Sequence, residues 1–233
     1  MREDVKEFFE ESSKYLEGNS TIQLRRKIIN DLTDGKLYNS VLDLGCGDGS
    51  LSMAFVGKCK ELTLVDFSSD MIGLAKERLN SHNSHTKISF YQSSIEEFEQ
   101  DEKYDLILLF GVLAHVENLD DIVEKCKSLL NKEGTILLQN SNSSNLVTKF
   151  NYWISDIRKT RKYKVNKLSD LQIEKALFSH GLELINKNYY LSNTFGLRRV
   201  SKKLDEQLKS FLAWKQLFKS LLPEIIYEFK KLN

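Results

Sequence analysis

Short apolar runs separated by turn residues alternate with segments of helical periodicity over the first 140 residues. Five runs have the length and composition of buried strands, at 41–44, 61–66, 87–91, 104–110 and 134–138. Between the second and third runs, Ile72, Ala75 and Leu79 recur at the spacing of one helix face. Strands that alternate with helices predict an α/β fold, with a mostly parallel sheet covered by helices on both faces.

The pattern changes after residue 138 and then resumes. Ser169 and Gln172 have the spacing of a capping box, which predicts a helix that runs to about His180 and stops at Gly181. Residues 182–191 predict a sixth strand. The alternation over residues 224–229 predicts a final antiparallel strand, which makes a seven-stranded sheet.

The first strand runs directly into a turn with three glycines, Gly45, Gly47 and Gly49. Glycines permit positive φ angles and leave no Cβ between the backbone and a ligand. Asp43 precedes the turn, and its carboxylate repels a pyrophosphate but attracts an ammonium or sulfonium group. Asp66 ends the second strand, where an acid binds both hydroxyls of a ribose.

These motifs, in this order, resemble those of the class I S-adenosylmethionine-dependent methyltransferases. The resemblance implies S-adenosylmethionine as cofactor and S-adenosylhomocysteine as product. It also implies a Rossmann-like methyltransferase sheet with helical lid insertions. The cofactor-binding residues that it implies are Asp43, Gly45, Cys46, Gly47, Asp66, Phe67, Met71, Ser94, Ile95, Phe110, Tyr15 and Arg25.

Within this set, the resemblance implies separate roles. Phe67 and Met71 are expected to pack on the adenine, Ser94 and Ile95 to touch its edge and face, and Tyr15 with Arg25 to hold the methionine carboxylate. Arg26 is an alternative to Arg25. Each residue also has a structural interpretation, such as a strand-end turn, a core position, a helix cap or a surface position. The dehydrogenase interpretation shares two glycines and the acid, but the third glycine follows after one residue instead of two.

Methyl transfer in this family is an in-line displacement at a sulfonium, so the protein mainly supplies proximity and alignment. His115, just after the fourth strand, is the candidate catalytic base for a hydroxyl acceptor. For an amine it would only position the acceptor, and a structural role is the alternative. The chain lacks the Asn-Pro-Pro-Tyr type of motif that marks amide- and base-nitrogen methylation.

The segments divide one predicted methyltransferase domain, residues 1–233. It begins with a helical cap (residues 1–35) and a cofactor-binding core (36–141). Residues 169–196 and 224–233 complete the core sheet. Two further segments, 142–168 and 197–223, leave the C-terminal ends of parallel strands, where ligands bind. We expect both to form a lid over the substrate.

The two insertions are basic, although the whole chain has a net charge of only +1. Segment 142–168 has a net charge of +6 and segment 197–223 of +5, which leaves −10 on the rest. A basic lid predicts a small anionic acceptor, and the loose similarity to sugar-modifying methyltransferases suggests a nucleotide-linked sugar or surface-glycan precursor. The alternative for the charge is a solvated helix face.

Two other functions stay open. Basic and aromatic side chains in the insertions could grip tRNA, which makes a tRNA-modifying methyltransferase the second hypothesis. A cofactor-binding subunit that needs a partner for activity is the third. Three cysteines without metal-ligand spacing argue against a metal site and a disulfide framework. No apolar run is long enough to span a membrane, so we expect a cytoplasmic protein. We expect it to be a monomer or a homodimer.

Overall fold

The computed structural model describes residues 20–80, 84–157, 165–191 and 222–232, with 203, 204 and 207, and within them seven strands form one sheet. The strands are β1 (Tyr38–Leu44), β2 (Cys59–Asp66), β3 (Lys87–Gln92), β4 (Tyr104–Leu109), β5 (Leu130–Ser141), β6 (Leu182–Tyr190) and β7 (Glu224–Lys231). Their order across the sheet is β3-β2-β1-β4-β5-β7-β6.

Strands β1 to β5 pair in parallel, and β7 is antiparallel to both β5 and β6. The predicted sheet is therefore confirmed, including its antiparallel last strand. Central strands are buried on both faces, which explains why they read as continuous apolar runs. Successive residues of β4 show this directly, because Leu106 and Leu108 face one core cluster while Ile107 and Leu109 face the other.

Helices cover both faces of the sheet, and the apolar stripes of four of the five described α-helices pack against one or the other of the two core clusters. They are α1 (Ser20–Leu32), α2 (Ser69–Asn80), α3 (Leu119–Leu129), α4 (Leu146–Ile157) and α5 (Asp170–Ser179), with a short 3₁₀ helix at Ser52–Phe55. Helices α1 and α2 pack on one face, and α3 and α5 on the other. The layers agree with the predicted α/β architecture.

Helix α5 begins and ends as its sequence predicts. The Ser169 side chain accepts a hydrogen bond from the Gln172 backbone N–H, and the Gln172 side chain accepts from the Ser169 backbone N–H. Gly181, with a φ of 75°, follows the helix. These reciprocal hydrogen bonds satisfy backbone donors that the first turn of a helix otherwise leaves unpaired.

Strand β5 extends further than the sequence pattern predicts. The predicted strand ended at Leu138 because polar residues follow, but Gln139 and Asn140 stay in the ladder opposite Ile226 and Ile225 of β7. Both polar side chains are buried. A strand that brings polar groups into the interior must give them partners there.

Candidate active site

The ends of β1 and β2 are joined by backbone hydrogen bonds, and Asp66 ties the glycine turn to them. The N–H groups of Gly45 and Cys46 donate to the Val65 carbonyl at 2.8 and 3.0 Å. The Gly47 N–H donates to Asp66 Oδ2 at 2.8 Å, and the Ser68 N–H donates to Asp66 Oδ1 at 3.0 Å. Asp66 is buried, and its two hydrogen bonds hold the glycine turn against the end of β2.

Two glycines of the turn differ in the space beside them. Gly45 has a φ of +77°, and a Cβ built on it would lie 2.5 Å from Val112 Cγ2. Gly47 has a φ of +53°, and a Cβ on it would meet nothing within 4 Å. Gly45 therefore allows two loops to touch, whereas Gly47 leaves its backbone open to a ligand.

Asp43 lies on β1, two residues before Gly45, and is also buried. Its Oδ2 accepts a hydrogen bond of 2.5 Å from the Ser52 hydroxyl. Burial raises the pKa of Asp43 to about 7, and the charges of Asp66 and Asp48 add to this, while the Ser52 hydrogen bond opposes it. Burial likewise raises the pKa of Asp66. Two poorly solvated carboxyl groups, one of which raises the pKa of the other, favour a cationic ligand at the turn.

The residues expected around an adenine lie at the ends of β2 and β3. Phe67 is half-buried and Met71 is buried. The Ser93 N–H donates to the Asp66 carbonyl at 3.0 Å, which brings the segment after β3 beside the acid. Ile95 Cδ1 lies 4.0 Å from the position of a Cβ on Gly45.

Ser94 has a structural role in this group. Its hydroxyl accepts a hydrogen bond of 3.2 Å from the Glu97 N–H and donates one of 2.9 Å to the Glu97 carboxylate. The hydroxyl thus caps the turn that follows β3, as the structural interpretation of this residue predicted, although the turn does not continue into a helix.

The loop after β4 carries His115. Phe110 is buried, Gly111 has a φ of 73°, and the His115 N–H donates to the Val112 carbonyl at 2.8 Å. Val112, together with Leu113 and Val116, is buried in the core, whereas His115 is half-buried. The loop is therefore anchored by its apolar side chains on either side of the histidine.

The sequence pattern did not predict the buried polar network that lies beside this loop. The Gly111 N–H donates to Gln139 Oε1 at 3.0 Å, and Gln139 Nε2 donates to Glu224 Oε2 at 2.6 Å. Arg25 Nη2 lies 3.9 Å from Glu224 Oε2, and Arg25 Nε donates to the Tyr190 hydroxyl at 2.6 Å. Polar residues inside an apolar strand were the available signal for Gln139.

Arg25 is thus partly buried in this network, and the structure does not test its predicted role toward a cofactor. Tyr15 lies outside the described residues, as does most of the segment 197–223. In the described part of the first insertion, helix α4 exposes Leu146, Phe150 and Trp153, and the two aromatic rings stack at 5.9 Å.

The residues that the structure describes contain no group of three or more His, Cys, Asp or Glu side chains arranged to hold a metal ion. None of their helices has both the length and the apolar composition to cross a membrane. Cys46, Cys59 and Cys126 are all buried and none forms a disulfide.

The comparison with protein families decides what this arrangement represents. The family model described as a methyltransferase domain matches residues 38–211, most of the chain. The chain belongs to the class I S-adenosylmethionine-dependent methyltransferases. The predicted family, enzyme class and cofactor are confirmed at this level, and the dehydrogenase interpretation is wrong.

Curated relatives of this methyltransferase match over part of their length. A ubiquinone biosynthesis O-methyltransferase from Glaesserella parasuis is 34% identical over 125 residues, which cover 51% of this chain and 52% of the relative. An enzyme of the same name from Pasteurella multocida is 32% identical over 130 residues, or 51% of this chain and 53% of the relative. The chain thus matches about half the length of these relatives.

Solved structures share the fold over nearly the whole chain. The N-methyltransferase NodS from Bradyrhizobium japonicum, in complex with S-adenosylhomocysteine, has a TM-score of 0.69 at 14% identity and covers 98% of this chain and 97% of its own. Magnesium protoporphyrin IX methyltransferase from Synechocystis has a TM-score of 0.64 at 16% identity, covering 100% and 99%. These likenesses confirm the predicted Rossmann-like methyltransferase sheet.

The methyltransferase turn fits its cofactor chemically. Gly47 leaves open space beside its backbone, and the buried Asp66 carboxylate has the acceptor chemistry that ribose hydroxyls need. Asp43 adds a second carboxyl group, which suits a ligand with a sulfonium and an ammonium. No residue of the turn is a cation that would favour a pyrophosphate.

Proposed function

We propose that this chain transfers a methyl group from S-adenosylmethionine to a hydroxyl group of a small molecule, with His115 as the base. The observation that carries the proposal is the contact between Gly45 and Val112, which sets the loop of His115 against the glycine turn. The O-methyltransferase names of the relatives favour a hydroxyl over an amine acceptor. Amine methylation is the weaker form of the same proposal.

The roles of the chain's own residues follow from their chemistry. Gly47, Asp66 and Asp43 would hold the cofactor, together with Cys46 and the apolar side chains of Phe67, Met71, Ile95 and Phe110. When bound, the cofactor supplies an electrophilic methyl group on a sulfonium, whose leaving group is a neutral thioether. His115 would accept the hydroxyl proton as the acceptor oxygen becomes a nucleophile, and alignment would supply most of the remaining rate.

The acceptor is proposed from charge and from the relatives. The basic insertions support an anionic small molecule, as the sequence predicts. The relatives are named for ubiquinone biosynthesis, so the comparisons give no support to the predicted carbohydrate pathway. The exposed Phe150 and Trp153 also favour an acceptor with an aromatic or other apolar part. We propose a hydroxylated aromatic acid as the first acceptor class and a nucleotide-linked sugar as the second.

The test is transfer of a labelled methyl group from S-adenosylmethionine to separate panels of hydroxylated aromatic acids, nucleotide-linked sugars and bulk tRNA. We expect turnover with one small-molecule panel. His115→Gln should lower this turnover by about 10²-fold or more, the usual contribution of a general base. His85→Gln is the matched control, because His85 is exposed and lies in the loop before β3.

Other outcomes would contradict the proposal in distinct ways. Turnover with tRNA alone would replace it with the tRNA-modifying hypothesis, and turnover only after addition of a cell lysate would favour a partner-dependent subunit. Equal turnover by the His115→Gln and His85→Gln variants would show that His115 is not the base. A cytoplasmic location and a monomeric or homodimeric state belong to the same proposal, to be measured by fractionation and by light scattering.

A further inference from the structure

The loop that contains His115 is bound by a residue of the first insertion. The Asn166 N–H donates to the Ala114 carbonyl at 2.9 Å. The side-chain amide of Asn166 also donates, through Nδ2, to the carbonyls of Leu113, at 3.4 Å, and of Val116. One asparagine therefore contacts three carbonyl groups, from the residues on both sides of His115.

The segment that carries Asn166 is itself fixed to the sheet. The Leu168 carbonyl accepts hydrogen bonds from the Ser143 N–H at 3.0 Å and from Asn140 Nδ2 at 3.1 Å. Asn140 belongs to β5, and Ser143 is the second residue of the insertion that follows that strand. The returning end of the insertion is thus tied both to the sheet and to the histidine loop.

The side chain of Asn166 matters because of where its acceptors lie. Leu113 and Val116 are buried in the core, so their carbonyl groups have little access to water. A buried carbonyl without a donor carries a desolvation cost, and a loop relieves that cost by moving toward water. Removing the Asn166 amide should therefore shift or loosen the backbone on either side of His115.

We propose that Asn166 is a positioning residue for His115, through which the first insertion sets the place of the histidine in the active site. The inference rests on the proposed function, in which His115 is the base. It assigns the insertion a task that is distinct from its predicted role as a lid over the substrate. A substitution in the returning end of the insertion would alter turnover although it does not touch the glycine turn.

The test compares two matched substitutions in the same insertion. Asn166→Leu removes the amide while keeping its size and neutrality. Asn142→Leu is the control, because the Asn142 side chain accepts hydrogen bonds from the backbone N–H groups of Ser144 and Asp170, away from the histidine loop. Should Asn166→Leu fail to fold, Asn166→Ala deletes the same donor without adding a branched side chain.

The readouts need no methyl acceptor. The first is the NMR signal of the His115 ring, assigned with His115→Gln, and the second is hydrogen exchange of the His115 amide. The third is the Kd for S-adenosylhomocysteine. For Asn166→Leu we expect a shifted ring signal and amide exchange that is about tenfold faster, as for the loss of one or two net hydrogen bonds. The Kd should stay within about twofold of wild type, since Asn166 lies outside the glycine turn.

The Asn142→Leu control should leave the His115 signals unchanged. An unchanged ring signal and exchange rate in Asn166→Leu would overturn the inference, and so would equal changes in the control. Failure of the proposed function would be visible separately, as absence of methyl transfer by the wild-type chain. Where wild-type turnover is measurable, Asn166→Leu should lower kcat more than it raises KM.

Discussion

The Gly47 N–H donates a hydrogen bond of 2.8 Å to the carboxylate of Asp66, nineteen residues further along the chain. The same carboxylate accepts from the Ser68 N–H through its other oxygen. The acid that would bind the cofactor ribose therefore also shapes the turn that leaves space for the cofactor. In that case cofactor binding and the conformation of the turn would depend on one side chain.

We predict that Asp66→Ala weakens binding of S-adenosylhomocysteine by about 2 kcal/mol or more, because a charge-assisted acceptor and a support of the turn are lost together. Asp66→Asn should be intermediate, since an amide oxygen can still accept from one backbone donor. The measurement is isothermal titration calorimetry. Asp70→Ala, which changes an exposed acid in the first turn of α2, is the control. Equal affinity in all of these variants would remove Asp66 from the site.

We predict that the free energy of unfolding depends on pH through Asp43. Its pKa is raised by burial from 3.8 to about 7, so the folded chain retains a proton that the unfolded chain releases near pH 4. The stability that this group contributes is present below about pH 4 and is lost as pH rises toward 7. Asp43→Asn keeps an acceptor for Ser52 but does not titrate.

Urea unfolding without cofactor, at pH 5 and pH 8, tests this sign. The wild-type chain should lose more free energy of unfolding between the two values than Asp43→Asn loses. Titrating groups far from Asp43 are common to both proteins and cancel in the difference, so what remains is the titration of Asp43 together with Asp66 and Asp48, whose charges act on it. An identical pH dependence in both proteins would show that Asp43 is ionised in the folded chain across this range.

The third prediction concerns the network at the end of β5. Gln139→Leu should lower the free energy of unfolding by about 1–3 kcal/mol, because the Gly111 N–H and the buried Glu224 each lose a partner. Ser141→Ala removes only a hydroxyl bound to Glu224 and should cost less. Denaturant unfolding of both variants makes the comparison. A smaller loss for Gln139→Leu than for Ser141→Ala would contradict it.

Much of the fold could be predicted because its signals are local. Central strands are buried on both faces, so their sequences are apolar runs. The start of α5 is marked by Ser169 and Gln172, which lie within one stretch of four residues. Gly47 and Asp66 are nineteen residues apart, but they belong to consecutive strand ends, and that spacing is itself a recognisable motif. These features depend on short-range geometry, which a sequence pattern records.

The buried polar network around Gln139 and the contact between Asn166 and the His115 loop could not be predicted in the same way. Gln139 and Glu224 are 85 residues apart, and they meet only because β7 pairs with β5 in one particular register. Asn166 reaches the His115 loop across a span of about fifty residues. Long-range pairing of this kind depends on the whole packed fold, and single polar residues in the sequence do not indicate their partners.

We propose that the glycine turn binds the cofactor at Gly47, and calorimetric titration of three proteins with S-adenosylhomocysteine tests this claim. Gly47→Ala and Gly57→Ala both place a Cβ at a positive φ in open space, so both carry a similar backbone strain of about 1–2 kcal/mol. Only Gly47 lies in the turn. We predict that wild type and Gly57→Ala bind with similar Kd, and that Gly47→Ala binds at least about tenfold more weakly, a loss of about 1.4 kcal/mol. Equal binding by all three proteins, or no binding by wild type, would contradict the claim.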